Sequence, residues 1–210
     1  EKFDQFTFVY SADMNSYIER KNPLCAIKAF KKLLKEFLFN SQKKPRLLLR
    51  LTHFSNTKHA EIIEEIENCD HIFLLTEKLS KKEYLTLLSM SHCYVSPHRS
   101  EGFGRNIAES MFLGTPTIVS NYSGNLDFCN NDTSYLIDGK LIKIKKGEYP
   151  LSDDCSWFDP DINHLKILMM EVYVNYEEAI SKSINAKEII MANHSINAYV
   201  KNLKILLGQD

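Results

Sequence analysis

Short apolar runs rich in β-branched and aromatic residues alternate along this chain with longer stretches of helical period, and that alternation most limits the folds open to it. FTFVY at 6–10 is the first run, and the polar loop SADMNSYIERK follows. Asn22 then reads as a helix cap with Pro23 at the first helical position. Leu24, Ile27, Phe30, Leu33, Leu34 and Phe37 make one apolar stripe behind it. Further strands are expected at 45–51, 71–76, 93–96, 116–120 and 134–137, with a helix at 59–68 and another from the Ser80/Glu83 capping box to about residue 92. The expectation is an α/β fold: a Rossmann-like, doubly wound parallel sheet of about six strands with helices on both faces, in the order 3-2-1-4-5-6. Strands one and four then adjoin at the switch point, where ligands bind beyond the carboxyl ends. Loops 11–21 and 97–104 face each other there, bringing Arg20 and Lys21 toward Glu101.

The second of those loops carries the chemistry. EGFGRNIAE at 101–109 follows the apolar run CYVS and leads into a helical AESMFLG that stops at Gly114. Gly102 and Gly104 permit close backbone approach, and the amides of Gly104, Arg105 and Asn106 point at any anion above the helix start. Glu101 and Glu109 need a reason, because carboxylates repel phosphate. On one helix, eight residues at ~1.5 Å each would separate them by ~12 Å, too far for the acid pair of a glycosidase. A carboxylate can, however, accept hydrogen bonds from two neighbouring hydroxyls. One acid on each side of a diphosphate therefore suits a ligand with a hydroxylated ring at both ends, the layout of a nucleotide-sugar.

With these residues in place, PHRSEGFGRNIAESMFLGTPTIVSNYSGNLDF resembles the donor-binding core of the family 4 retaining glycosyltransferases, whose GT-B fold pairs two Rossmann-like domains. The family's mark is two glutamates separated by seven residues with Gly-Phe-Gly after the first, matched by Glu101, Gly102, Phe103, Gly104 and Glu109. The resemblance spans residues 6–140 and implies transfer of a hexose from a UDP- or GDP-sugar to a glycan or lipid-linked acceptor in bacterial surface polysaccharide synthesis. It implies no metal or other cofactor. Glu109 would hold the ribose hydroxyls, the stretch through Gly102, Phe103, Gly104, Arg105 and Asn106 the diphosphate, and Glu101 the hexose hydroxyls. ERKNPLCAIKAF resembles the family's Arg/Lys-bearing loop, and Lys21 matches the lysine that stabilises the departing diphosphate. Where relatives often carry an arginine after strand one, this chain has SADMNS, so the second cationic contact falls to Arg20, Arg99 or Arg105. TEKLSKKEYLTLL resembles the nucleobase wall, where Leu79 packs either on the base or into the core. Two alternatives stand beside this: a nucleotide-sugar epimerase of the same fold, and a non-catalytic nucleotide-binding module.

The remaining features bound the reading. A net charge of -1 argues against a general nucleic-acid binder, and 44% hydrophobic residues argue against disorder. No apolar run approaches the ~20 residues of a membrane span, and EKFDQF does not read as a signal peptide. A cytoplasmic protein is expected, at most peripheral to the inner face of the membrane. Five scattered cysteines read as reduced, and no zinc-ligand spacing appears. Without an initiator methionine the chain reads as an excised piece, with a donor-binding domain at 1–160, a helical tail at 161–210 packed on it, and the amino-terminal acceptor domain outside. Asp159 is expected to cap a helix with Pro160 at its first position, rather than to bind metal through the Asp-x-Asp of 159–161. Trp157 is expected to pack under the tail, and 145–154 reads as the most linker-like stretch. His98 either satisfies local backbone or faces the sugar, and Ser123, Gly124 and Asn125 form either a ligand contact or an ordinary turn.

Overall fold

A computed structural model describes residues 1–37 and 43–208. Six strands, β1 (Thr7–Asp13), β2 (Arg46–Thr52), β3 (Ile72–Leu75), β4 (Cys93–Ser96), β5 (Thr117–Ser120) and β6 (Tyr135–Ile137), form one parallel sheet in the order β3-β2-β1-β4-β5-β6, as expected. In β1, β4 and β5 nearly every residue is buried, which is what a strand covered on both faces requires. The connecting helices are α1 (Ile18–Lys21), α2 (Pro23–Glu36), α3 (Ala60–Ile66), α4 (Lys81–Met90) and α5 (Arg105–Phe112).

Successive side chains of β1 alternate between two cores. Phe8 and Tyr10 join Phe30 and Leu33 of α2 on one face, while Val9 joins Tyr94, Ile107 and Met111 on the other. Each fully buried side chain of this size contributes roughly 1.5–3 kcal/mol. α4 starts on the predicted capping box: the Ser80 amide donates to Glu83 Oε2 at 2.7 Å, and the Glu83 amide donates to Ser80 Oγ at 3.3 Å.

Beyond β6 the chain departs from expectation. Residues 145–154 are no linker. They belong to the loop of an antiparallel hairpin formed by β7 (Gly139–Lys143) and β8 (Ser156–Pro160). The hairpin escapes a pattern search because β7 is largely exposed and shows no alternation, and because its loop is longer than the tight turns that mark hairpins. Asp159 and Pro160 consequently end a strand. Asp161 caps α6 (Ile162–Val174), accepting from the Asn163 and His164 amides at 2.7 and 3.1 Å. Trp157 is buried on β8, beside Tyr149 and under the Arg99 guanidinium.

Asn22 flanks α2, but it adopts a left-handed conformation (φ 56°) and its side chain caps nothing. Its amide instead closes α1 on Ile18 O at 2.7 Å, and its Nδ2 donates to Pro97 O at 3.0 Å. One residue thus ends α1, starts α2 and ties both to the loop after β4.

α6, α7 (Tyr176–His194) and α8 (Ile196–Leu206) form the helical tail. α6 and α7 bury residues against the sheet's helices, whereas α8 buries none and exposes Ile196, Tyr199 and Leu206. No helix among the described residues is long and apolar enough to cross a membrane.

Candidate functional site

A cleft of about 380 Å³ lies at the carboxyl ends of β1 and β4, within the size range of small-molecule sites. β1 and its loop supply Tyr10, Ser11, Asp13 and Ser16, β4 supplies Tyr94 and Ser96, and α1 supplies Lys21. Glu101, Phe103, Gly104, Arg105, Asn106 and Ile107 complete the wall. Of these, Tyr10, Ser11, Asp13, Ser16, Tyr94, Ser96 and Ile107 were not foreseen as lining residues from the sequence. Their place on or just beyond the two strands, or at the helix start, that meet at the switch point was the available signal.

α5 begins at Gly104, whose φ of +89° suits glycine and whose added Cβ would stand 2.9 Å from Ile107 Cδ1. No side chain caps this helix, so the amides of its first turn are left for a ligand. Gly102 differs. No atom lies within 4 Å of a Cβ placed there, so nothing within the described chain demands a glycine. Asn106 Nδ2 and the Tyr94 hydroxyl both donate to Ser11 O, at 3.1 and 3.3 Å, locking the end of β1 to the start of α5.

Opposite stands α1. Lys21 Nζ donates to Glu101 Oε1, and Arg20 Nη1 lies 3.5 Å from Glu101 Oε2 and 3.0 Å from Ser100 O. The Tyr10 hydroxyl donates to Lys21 O at 2.9 Å, and burial pushes this phenol well above its usual range. A loop from each half of the sheet thus meets in one charged cluster, with side chains only 13–19% exposed.

The backbone of Glu101 is held from a third direction. Its amide donates to Ser123 Oγ at 2.9 Å, and the Gly124 amide donates to its carbonyl at 3.0 Å. Ser123 and Gly124 thereby position the acid without lining the cleft, and Asn125 lies fully buried behind them. Asn125 Nδ2 donates to Ser120 O, so its Oδ1 accepts from His98 Nε2 at 3.0 Å, leaving Nδ1 for the Ser96 hydroxyl. His98 is fully buried and spent on these partners. Burial lowers its pKa, with Glu101 acting in the opposite sense.

Three candidates for a second cation resolve differently. Arg105 lines the cleft. Arg20 is turned to Glu101. Arg99 points elsewhere, with Nη2 2.9 Å from Asp159 Oδ1 and Nη1 donating to Glu19 O at 3.3 Å.

Glu109 lies four residues after Arg105, on the same side of α5, where its Oε1 accepts from Lys81 Nζ at 2.6 Å and its Oε2 is buried without a hydrogen-bond partner among the described residues. It is not part of the cleft wall proper. Neither is Leu79, which packs against the second core and lines a shallow apolar groove with Leu75 and Met90. Phe103 rests on Phe128 and His194, with ring centroids 5.0 and 5.3 Å away. Among the described residues no cluster of three or more His, Cys, Asp or Glu side chains could hold a metal ion.

An uncapped helix start with facing cations at the switch point of a doubly wound sheet is an arrangement suited to phosphorylated ligands. A model of the family described as glycosyl transferases group 1 matches residues 4–145, and the chain belongs to that family. Solved structures agree on the fold. A glycosyltransferase from Rickettsia africae ESF-5 is 18% identical, with 97% of this chain and 47% of that one covered and a TM-score of 0.69. HepE from Anabaena, solved with UDP-glucose, is 13% identical, with 98% and 49% covered and a TM-score of 0.71. TarM is 17% identical over 97% of this chain and 36% of its own, with a TM-score of 0.67. The chain thus spans half or less of the length of these three proteins, and its sheet and helices form one half of a GT-B fold. No curated protein sequence matches it.

Proposed function

We propose that this chain is the donor-binding half of a retaining glycosyltransferase that takes a hexose from a nucleoside-diphosphate sugar and passes it to a glycan or lipid-linked acceptor. The observation that carries the reading is the cleft itself, with Lys21 and Glu101 on one wall and the uncapped start of α5 on the other. The HepE structures with UDP and with UDP-glucose support a ligand of this kind.

In this reading the diphosphate sits against the amides of α5 with Arg105 beside it, and Gly102 and Phe103 shape the approach. Glu101 holds hexose hydroxyls. Glu109, behind the cleft wall, takes the ribose once its carboxylate turns to bring the occluded, unbonded Oε2 to the hydroxyls, and the nucleobase extends toward Leu79. Breaking the glycosidic C–O bond sends both electrons to the diphosphate, while an acceptor hydroxyl forms the new bond and gives its proton to the departing diphosphate oxygen. The added charge on the leaving group meets Lys21, whose ammonium keeps hydrogens to spare beyond its bond to Glu101. Arg20 shares the neutralisation of Glu101. No divalent cation enters this scheme, so a chelator leaves donor binding unchanged. A surface-polysaccharide product and work at the inner face of a membrane belong to the whole protein in this proposal.

Isothermal titration of UDP, GDP and their sugars tests the reading. Binding of a nucleotide-sugar that Glu109→Ala and Lys21→Ala both weaken upholds it. Undiminished binding by both variants removes it.

A further inference from the structure

Glu109 poses an electrostatic problem that Glu101 does not. Glu101 is matched by two cations, Lys21 and Arg20, from the facing loop. Glu109 stands one turn beyond the diphosphate-receiving end of α5, where an uncompensated carboxylate repels the ligand that the helix attracts. Its one ion-pair partner among the described residues is Lys81, the first residue of α4.

Lys81 is placed for this task. Its ammonium lies 2.6 Å from Glu109 Oε1 and 5.8 Å from the ring centre of Tyr84, three residues along the same helix. Tyr84 is buried, and Arg50 stacks on its ring at 4.5 Å, so the surface that Lys81 lies over is rigid. The pair also uses only one carboxylate oxygen. Glu109 Oε2 has no hydrogen-bond partner among the described residues and is occluded from solvent, so Lys81 cancels the charge of the acid while one oxygen stays unbonded, to meet a hydroxyl once the carboxylate turns.

We propose that Lys81 is a specificity-determining residue of the donor site: by neutralising Glu109 it makes an acid at the nucleoside end compatible with a diphosphate, and so sets how affinity grows with phosphate number. This rests on the donor-cleft reading above. A unit charge roughly 8 Å from two phosphate charges in an aqueous dielectric alters affinity about fivefold at low ionic strength, and salt reduces the effect.

The test titrates uridine and guanosine, with their mono- and diphosphates, into the chain and into its Lys81→Gln and Lys82→Gln variants at low and high salt. Both lysines are exposed, and melting temperatures check that the variants fold. Lys81→Gln is expected to weaken the diphosphate about fivefold at low salt, the monophosphate less and the nucleoside not at all, with the differences shrinking at high salt. Lys82→Gln leaves all three unchanged. Equal weakening of nucleoside and diphosphate, or no weakening, overturns the role of Lys81 and leaves the donor cleft standing. Failure of the unaltered chain to bind any nucleoside diphosphate overturns both.

Discussion

Gly124 offers the sharpest test of how Glu101 is held. A Cβ at this position would fall 1.9 Å from Gly102 O, 2.6 Å from Gly102 C and 3.0 Å from Glu101 O. Ordinary contact begins at 3.4 Å, so Gly124→Ala must open the closest approach by 3.4 − 1.9 = 1.5 Å. The atoms in the way are backbone and cannot rotate aside, so the acid-bearing loop or the 123–124 turn must move. That movement breaks the Gly124 amide's bond to Glu101 O, worth about 1 kcal/mol, and adds about 1–3 kcal/mol of overpacking. The sum, about 2–4 kcal/mol, lowers the melting temperature by about 4–16 °C for a domain of this size. Gly102→Ala is the counterpart: with no atom within 4 Å of its Cβ, it changes stability by less than about 0.5 kcal/mol. It nevertheless obstructs the approach to the loop and weakens nucleotide-sugar binding at least about tenfold, the equivalent of one lost hydrogen bond. Scanning calorimetry and isothermal titration read the two effects separately. A wild-type melting point for Gly124→Ala would falsify the steric account, and unaltered affinity in Gly102→Ala would show that its open side faces no ligand.

Further outcomes follow from other contacts. Arg99→Met and Asp159→Asn should each loosen the hairpin from α1, and their double-mutant cycle in denaturant should show a coupling of about 0.5–1 kcal/mol for this partly exposed pair. His92, whose Nδ1 accepts the Thr7 amide at 3.1 Å, has its pKa held down from 6.5 to about 4 by burial, with Lys2 and Arg46 adding to the effect. Between those values the unfolded chain binds a proton that the folded chain refuses, so stability falls as pH drops from 6.5 to 4, and His92→Gln should flatten that slope in pH-dependent melts. Ser80→Ala removes one arm of the capping box and should cost about 1 kcal/mol by chemical denaturation.

The sheet order and the approach of Lys21 to Glu101 were legible in the sequence because both rest on local signals that topology then brings together, whereas the ion pair between them was not foreseen. β-type runs, the capping box and the glycine-bearing loop each announce themselves within ten residues or so. What escaped depends on contacts distant in sequence. Asn22 carries the residue type of a helix cap, yet its side chain is drawn to Pro97 O, a partner no local pattern reveals. Arg99, Arg20 and Arg105 look alike as charges, and only the presence of β8 shows that Arg99 belongs to Asp159. Lys81 sits in a helix start like any exposed lysine until α5 is packed beside it. Ser123 and Gly124 read equally as turn or ligand contact, and they prove to be the support for Glu101's backbone.

The hairpin has a bearing on how this cleft can be transplanted. Family similarity stops at residue 145, inside the loop between β7 and β8, whereas Phe158 donates its amide to Arg99 O and Asp159 grips the Arg99 side chain. Arg99 in turn bonds the carbonyls of Glu19 and Arg20. A graft cut at the similarity boundary would carry both glutamates, Lys21 and every cleft glycine, yet leave α1 without its outer buttress. The portion of chain that keeps these contacts therefore extends to Pro160, and exchanging hairpins between relatives would change the support of α1, which carries Lys21, without altering any residue that lines the cleft.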